Sequence, residues 1–251
     1  MDQYGLIGFP LKHSFSKDYF NSKFASEGID AEYINFEIPS ITELTSIIQN
    51  NPHLKGLNVT IPYKEQVIPY LNRISDDARL IGAVNVIKII RKKNKIKLKG
   101  YNSDIIGFKK SIDPLLKQHH QRALVLGTGG SAKAVFHGLL QLGIEVTYVS
   151  RQKFSEGILT YHELSPEVMD SHAIVVNCTP VGMWPNEDDC PVIPYHLLTD
   201  KHLLYDLLYN PNETLFMKKG EEQGALVKNG LEMLLLQAFA GWNMWTNESS
   251  T

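Results

Sequence analysis

The chain is 251 residues long, enough for one large domain or two ordinary ones, and its 43% hydrophobic and 21% charged content is that of a globular protein. A formal net charge of −2 gives no electrostatic reason to expect nucleic acid or an anionic membrane as partner. No apolar run approaches the roughly 20 residues that span a bilayer.

Residues 3–8 read as a strand that runs into Gly8-Phe9-Pro10-Leu11-Lys12-His13-Ser14-Phe15-Ser16. Ser14 and Ser16 offer hydroxyls beside the free N–H groups that open a helix over 16–27, a cradle for a carboxylate. A strand over 32–37, a helix over 41–50 and a strand over 55–60 follow. That strand leaves through Asn58-Val59-Thr60-Ile61-Pro62-Tyr63-Lys64 into a helix over 63–71. Lys64 then sits in a first helical turn, where the positive end of the dipole disfavours another cation. Such a lysine is either solvated or useful, and the rest of the chain favours useful.

Strand 83–90 pairs with 95–100 in a hairpin, and the basic run Arg91 to Lys99, alternating Lys with Ile and Leu, reads as its solvated edge. Asn85 interrupts an otherwise apolar stretch, where a buried amide needs partners. Asn102-Ser103-Asp104 opens a helix over 104–118, and any of the three could simply cap it.

The apolar strand 123–126 ends in Gly127-Thr128-Gly129-Gly130-Ser131, and a helix over 131–142 follows. Glycines in that position let backbone N–H groups approach a pyrophosphate at the helix N-terminus. Ala132 takes the place of the third glycine of the dinucleotide fingerprint. The next strand, 145–149, ends in Ser150-Arg151-Gln152-Lys153 with no acid to bond a ribose hydroxyl. A guanidinium and an ammonium there suit a 2′-phosphate, so NADP is the expected cofactor. The gap from 150 to about 160 is shorter than an ordinary helical crossover.

Strands over 173–177, 203–206 and 225–227 complete the series. Tyr205-Asp206-Leu207-Leu208-Tyr209-Asn210-Pro211 ends one of them with a phenol beside a turn. The last element, 230–246, is apolar almost all round and is expected to be buried, with Gln237 as its misfit. Cys178 and Cys190, the only cysteines, are too few for a disulfide framework. They and the 9 histidines show no metal-ligand spacing, so no metal is expected. Met1-Asp2-Gln3-Tyr4 carries no secretion pattern, which makes the cytoplasm the expected location.

Alternating strands and helices place the chain in the α/β class. Two domains are expected, with the active site in the cleft between them. Residues 1–103 would form an α/β substrate domain with a mostly parallel sheet, 230–251 packing back onto it. Residues 104–229 would form a Rossmann-like NADP domain.

With these motifs in this order, the sequence resembles the shikimate dehydrogenase family along nearly its whole length. The remaining shared stretches are Gly82-Ala83-Val84-Asn85, Gly100-Tyr101-Asn102-Ser103-Asp104, Asn177-Cys178-Thr179-Pro180-Val181-Gly182-Met183 and Asn229-Gly230 through Gln237. The resemblance implies reversible NADP-dependent reduction of 3-dehydroshikimate to shikimate, in aromatic amino-acid biosynthesis. It implies that Ser14 and Ser16 hold the substrate carboxylate, that Thr60, Asn85, Tyr209 and Gln237 surround the ring hydroxyls, and that Lys64 and Asp104 are the catalytic pair. It assigns Gly127, Thr128, Gly129, Gly130, Ser131, Ser150, Arg151, Gln152, Lys153, Leu207 and Gly230 to the cofactor. Hydride transfer belongs to the nicotinamide, leaving the protein to supply orientation and a proton-transfer group.

The chain departs from the family pattern at Val86, Ser103, Gln152 and Leu207, where Thr, Thr, Thr and Met are usual, and none of these is a catalytic position. It also stops at Thr251, short of the further C-terminal helix of many members, which bears on packing more than on activity. The rival activities are an NAD-using quinate/shikimate dehydrogenase and a non-catalytic ligand sensor. The absent acid after Val149 and the Ser14/Ser16 pair argue against the first, and intact Lys64 and Asp104 against the second. The expected partner is a small-molecule substrate, with neither nucleic acid nor membrane, in a monomer or homodimer.

Overall fold

The computed structural model describes residues 1–11, 15–93, 95–153 and 155–247. The chain divides into two compact units, Met1–Ser103 with Ala238–Thr251, and Asp104–Gln237.

The first unit contains β1 (Asp2–Gly8), α1 (Phe15–Glu27), β2 (Ala31–Glu37), α2 (Leu44–Asn50), β3 (Leu54–Val59) and α3 (Tyr63–Gln66). It continues with β4 (Arg73–Ile74), α4 (Asp76–Ile81), β5 (Val86–Lys92) and β6 (Lys95–Tyr101). The strands form one sheet in the order β2-β1-β3-β5-β6-β4. β1 runs parallel to β2 and β3, and β4 parallel to β6, while β3–β5 and β5–β6 are antiparallel.

Side chains alternate across the sheet with period two, which splits the core cleanly. Ile7 and Ile87 join Leu44, Leu54, Leu57 and Val67 on one face. Leu6 and Val86, their chain neighbours, join Phe20, Phe24, Tyr33 and Trp245 on the other. Trp245 is held there by donating its indole N–H to the Ile87 carbonyl at 3.0 Å. Gly56 makes the room: a Cβ at that position would stand 2.4 Å from Trp245 Cδ1. Gly56→Ala should therefore cost about 1–3 kcal/mol by overpacking. Chemical denaturation measures it, and an unchanged midpoint would show that the indole simply moves aside.

The second unit contains α5 (Asp104–Ile112), β7 (Arg122–Leu126), α6 (Gly130–Gln141), β8 (Glu145–Ser150), β9 (Ile158–Thr160) and α7 (Pro166–Ser171). β10 (Ile174–Asn177), β11 (Leu203–Asp206), α8 (Leu215–Glu221) and β12 (Leu226–Lys228) follow. The last helix, α9 (Leu231–Thr246), begins in this unit and ends in the first. All five pairings are parallel and the order is β12-β11-β10-β7-β8-β9. That is the doubly wound arrangement, with its reversal of strand order between β7 and β10. Phe108, Ile112, Val135 and Leu139 of α5 and α6 cover one face, and Met169, Phe216 and Met217 of α7 and α8 cover the other. No helix joins β8 to β9 among the described residues of 151–157, as the short gap in the sequence implied.

Four expected helices differ from those observed, the one over 41–50 by opening as a 3₁₀ turn, Ile41–Glu43, before α2. The one over 104–118 stops at Ile112 and continues as a 3₁₀ turn, Asp113–Leu115, because Pro114 cannot donate to the helix ladder. The one over 63–71 is a single turn, Tyr63–Gln66, followed by a 3₁₀ turn that carries Pro69. The expectation of a fully buried last helix fails on one side, since Leu231 is 38% and Phe239 50% exposed.

Candidate active site

In the first unit the two N-terminal motifs lie side by side at the carboxyl ends of β1 and β3. Phe9 N–H donates to Ile61 O at 3.1 Å, and Thr60 N–H to Ile7 O at 2.9 Å. Gly8 permits this approach, because a Cβ there would stand 2.4 Å from Thr60 Cγ2. Lys64 is half-buried and its carbonyl accepts from Val84 N–H at 2.7 Å, which fixes the start of its side chain. A one-turn helix has little dipole, so the electrostatic case for Lys64 drawn from a long helix falls away. Its placement carries the case instead.

Asn85 is buried and hydrogen-bonded. Its Oδ1 accepts from Ser103 N–H at 2.7 Å, its Nδ2 donates to Ser103 Oγ at 3.0 Å, and its carbonyl accepts from Val59 N–H at 2.8 Å. Asn85 is thus stitched beside the Thr60 loop, and Lys64 beside its neighbour Val84. Deeper in the unit the Tyr33 phenol donates to Asn58 Oδ1 at 2.7 Å. Burial pushes that phenol well up, against a smaller opposing effect from its hydrogen bond with the Ser16 side chain. Backbone bonds thus tie the segments that carry Thr60, Lys64 and Asn85 to one another, and Ser16 is linked to Asn58 of the same stretch through Tyr33. Ser14 lies outside the described residues.

In the second unit the glycine turn stands at the sheet's switch point. Gly127, at φ +100, donates its N–H to Val149 O at 2.9 Å and faces Thr179 in the loop after β10. Gly129 caps α6 with φ −74 and ψ −179, a conformation open to any residue. A Cβ added to it would meet nothing within 4 Å among the described residues. The protein's own packing thus gives no reason for glycine here, whereas a pyrophosphate lying against the backbone does. The N–H groups at a helix N-terminus, here the first turn of α6, are the donors a pyrophosphate takes, so the residues present fit a dinucleotide.

The other cofactor positions gather nearby. Leu207 N–H donates to Asn177 O at 3.0 Å. A Cβ on Gly230 would stand 2.1 Å from Leu207 O, so the start of α9 presses on the chain leaving β11. Tyr209 follows at 37% exposure, its phenol pushed up by burial. Ser150 ends β8, and Arg151, Gln152 and Lys153 are exposed beyond it. Lys153 lies 3.0 Å from Glu163, whose carboxyl is pulled down to about 2, first by the Thr160 N–H and then by Lys153 and the Thr160 hydroxyl. Arg151 is the cation of this pair without a carboxylate within salt-bridge distance among the described residues.

A pocket of about 470 Å³ opens beside Thr128, lined also by Lys133, Phe136, Tyr148, Ser155 and Ile158. It occupies the space next to α6 where a β8–β9 crossover helix would otherwise pack. Lys133 escaped the sequence reading because it lies one turn beyond the glycine motif. Asp104 opens α5 and is 6% exposed. One turn on, Gly107 lets α9 come close, a Cβ there standing 2.6 Å from Met233 O and 2.9 Å from Gln237 N. Asp104 and Gln237 thus occupy neighbouring turns of two touching helices.

A doubly wound parallel sheet, a glycine turn at its switch point and cations without an acid after its second strand define a dinucleotide-binding unit of the NADP type. Residues 6–87 match the family description "Shikimate dehydrogenase substrate binding domain". The shikimate dehydrogenase (NADP(+)) of Clostridium beijerinckii is 38% identical over 257 residues, spanning 98% of this chain and 92% of its own. The crystal structure of shikimate dehydrogenase from Aquifex aeolicus superposes with a TM-score of 0.85 at 35% identity, covering 100% of this chain and 94% of that one. That of the enzyme from Thermus thermophilus, in complex with NADP(H) and shikimate, gives 0.85 at 27% identity, covering 100% and 95%. The chain belongs to the shikimate dehydrogenase family.

Proposed function

We propose that this protein catalyses the reversible NADP-dependent reduction of 3-dehydroshikimate to shikimate. The observation that carries the proposal is the Gly129 cradle: no atom of the described residues occupies the space a side chain there would enter, and a bound pyrophosphate would lie against it. NADP supplies or receives the hydride when bound.

Ser16, with Ser14, holds the substrate carboxylate, and Thr60, Asn85, Tyr209 and Gln237 hydrogen-bond the ring hydroxyls. Lys64 moves the proton at the reacting carbinol oxygen, and Asp104 works with it as the second catalytic group. Met1–Ser103 is on this account the substrate domain and Asp104–Gln237 the cofactor domain. Gly127, Thr128, Gly129, Gly130 and Ser131 hold the pyrophosphate, Leu207 and Gly230 the nicotinamide side. Ser150, Arg151, Gln152 and Lys153 receive the adenosine phosphate, Arg151 foremost because Glu163 already engages Lys153. No helix among the described residues is long and apolar enough to cross a membrane. The same account places the enzyme in the cytoplasm, where its two unpaired cysteines stay reduced, as a monomer or homodimer.

The deciding assay offers purified protein shikimate or quinate with NADP or NAD and follows reduced cofactor by absorbance. Shikimate with NADP should give the highest kcat/KM, and no turnover with that pair would overturn the proposal. Arg151→Ala should raise the KM for NADP by roughly ten- to a hundred-fold, the worth of a charge-assisted bond, and leave that for NAD nearly unchanged. Equal losses with both cofactors would show that Arg151 does not read the 2′-phosphate.

A further inference from the structure

Asn177 and Asp206 are the last residues of β10 and β11 and stand directly opposite each other in the parallel ladder. Both side chains are fully buried. Asn177 Nδ2 donates to Asp206 Oδ1 at 3.1 Å, tying the two strand ends together on one face of the sheet. Each then reaches into the loop that follows it. Asn177 Oδ1 accepts from Thr179 N–H at 3.0 Å and from Thr179 Oγ1 at 2.7 Å. Asp206 Oδ1 accepts from Leu208 N–H at 3.0 Å, and Oδ2 from Thr214 Oγ1 at 2.7 Å. Thr214 in turn caps α8.

We propose that Asp206, through Asn177, is a positioning residue that sets the Leu207–Tyr209 loop and the Thr179 loop in the one geometry that holds NADP for hydride transfer. A buried carboxylate with three donors is a costly way to cap a turn; Ser or Asn would cap it without the charge. What the carboxylate adds is simultaneous acceptance from strand β10, the loop after β11 and the cap of α8. Leu207, next in the chain, carries the carbonyl against which Gly230 presses, so its freedom is closed from both sides. Thr179, at the other end of the network, packs its methyl towards Gly127 of the glycine turn. The network therefore spans the carboxyl ends of β7, β10 and β11, where a doubly wound sheet binds its ligand.

Burial pushes the Asp206 carboxyl up to about 6 against the pull of its three donors, so its charge is lost within the working range of an assay. Among the described residues, the Cys178 thiol and the Tyr195 phenol are shifted in part by this carboxylate. Both are driven upward, chiefly by burial, and stay neutral below pH 8. Burial and these three donors set the Asp206 shift, and no cation among the described residues is a cause of it.

This inference rests on the proposed shikimate dehydrogenase activity, and one set of measurements separates the two. Asp206→Asn keeps the shape and removes the charge. At pH 8 it should lower kcat/KM for NADP by about ten- to a hundred-fold, the scale of a misplacement near 1 Å. At pH 5 the wild-type carboxyl is itself neutral, so the ratio of wild type to variant should fall towards one. The ratio cancels the ionisation of the NADP phosphate, which is common to both proteins. A residue that serves folding alone would lower the melting temperature and leave a flat ratio, and a flat ratio overturns the inference while wild-type activity upholds the functional reading. Wild-type protein inert with shikimate and NADP overturns both. If Asp206→Asn does not fold, Thr179→Val removes a half-buried hydroxyl from the same network. It should lower kcat/KM for NADP about threefold or more, the worth of a neutral hydrogen bond, and parity with wild type would overturn the inference.

Discussion

Lys64→Ala is expected to cut turnover with shikimate and NADP by roughly 10²–10⁴-fold, the usual worth of a positioned acid–base group. The side chain leaves a one-turn helix whose backbone is pinned, since Lys64 O accepts from Val84 N–H at 2.7 Å and Thr60 O from Tyr63 N–H at 2.9 Å. Alanine disturbs neither bond, so the fold should survive the change and the loss should appear in kcat. NADP affinity should hold, because the glycine turn lies in the other unit. Lys64→Arg sharpens the test. It keeps a cation for binding but, with a pKa above about 12, cannot hand over a proton near neutral pH. A proton-transfer role predicts that arginine restores the KM for shikimate without restoring kcat. Stopped-flow absorbance of the nicotinamide, with isothermal titration for NADP, measures both, and near-normal turnover in Lys64→Ala would leave Asp104 as the candidate.

Much of this fold is legible where hydrophobic periodicity is long. Strands such as Leu54–Val59 and Arg122–Leu126, and the helix Gly130–Gln141, fall within a residue or two of their expected ends. Short elements are not legible that way. Helix α4 has only six residues, too few for a period, yet Ser75 caps it, Asp76 and Asp77 sit in its first turn, and Gly82 at φ +69 closes it. Capping chemistry was the available signal, and the same holds for Ser165 before α7 and Thr214 before α8. Proline marks the other failures, ending helices at Ile112 and Gln66 that apolar spacing alone would have extended.

The candidate site divides on the same physical ground. Residues in motif loops, from Gly8 to Thr60 and from Gly127 to Gly130, can be read because their chemistry is local to a turn. The role of Asp206 cannot be read so, since its partners Asn177 and Thr214 come from other strands and caps, and only the ladder register brings them together. Lys153 shows the converse. Its place in the sequence suggests the cofactor phosphate, and the pairing with Glu163 appears only once β9 lies beside β8.

Gly129→Ala is expected to separate stability from binding. The φ of −74 and ψ of −179 suit alanine, and the new Cβ would meet no atom of the described residues within 4 Å. Alanine gains about 0.4–1 kcal/mol by restricting the unfolded chain, and loses a similar amount as a poorer helix N-cap. The two nearly offset, so the melting temperature should move by only a few degrees. The methyl group nevertheless enters the space in which a pyrophosphate would approach the backbone. One displaced charge-assisted hydrogen bond is worth about 1.5–3 kcal/mol, which raises the dissociation constant for NADP by roughly ten- to a hundred-fold. Gly127→Ala should behave differently. At φ +100, with Thr179 Cγ2 at 3.2 Å from the new Cβ, it strains the turn itself, so stability and NADP binding should fall together. Thermal melts and NADP titrations on the two variants decide the matter. Undiminished NADP affinity in folded Gly129→Ala would mean that the pyrophosphate does not lie on this turn, and the cofactor assignment of Gly127 to Ser131 would have to be abandoned.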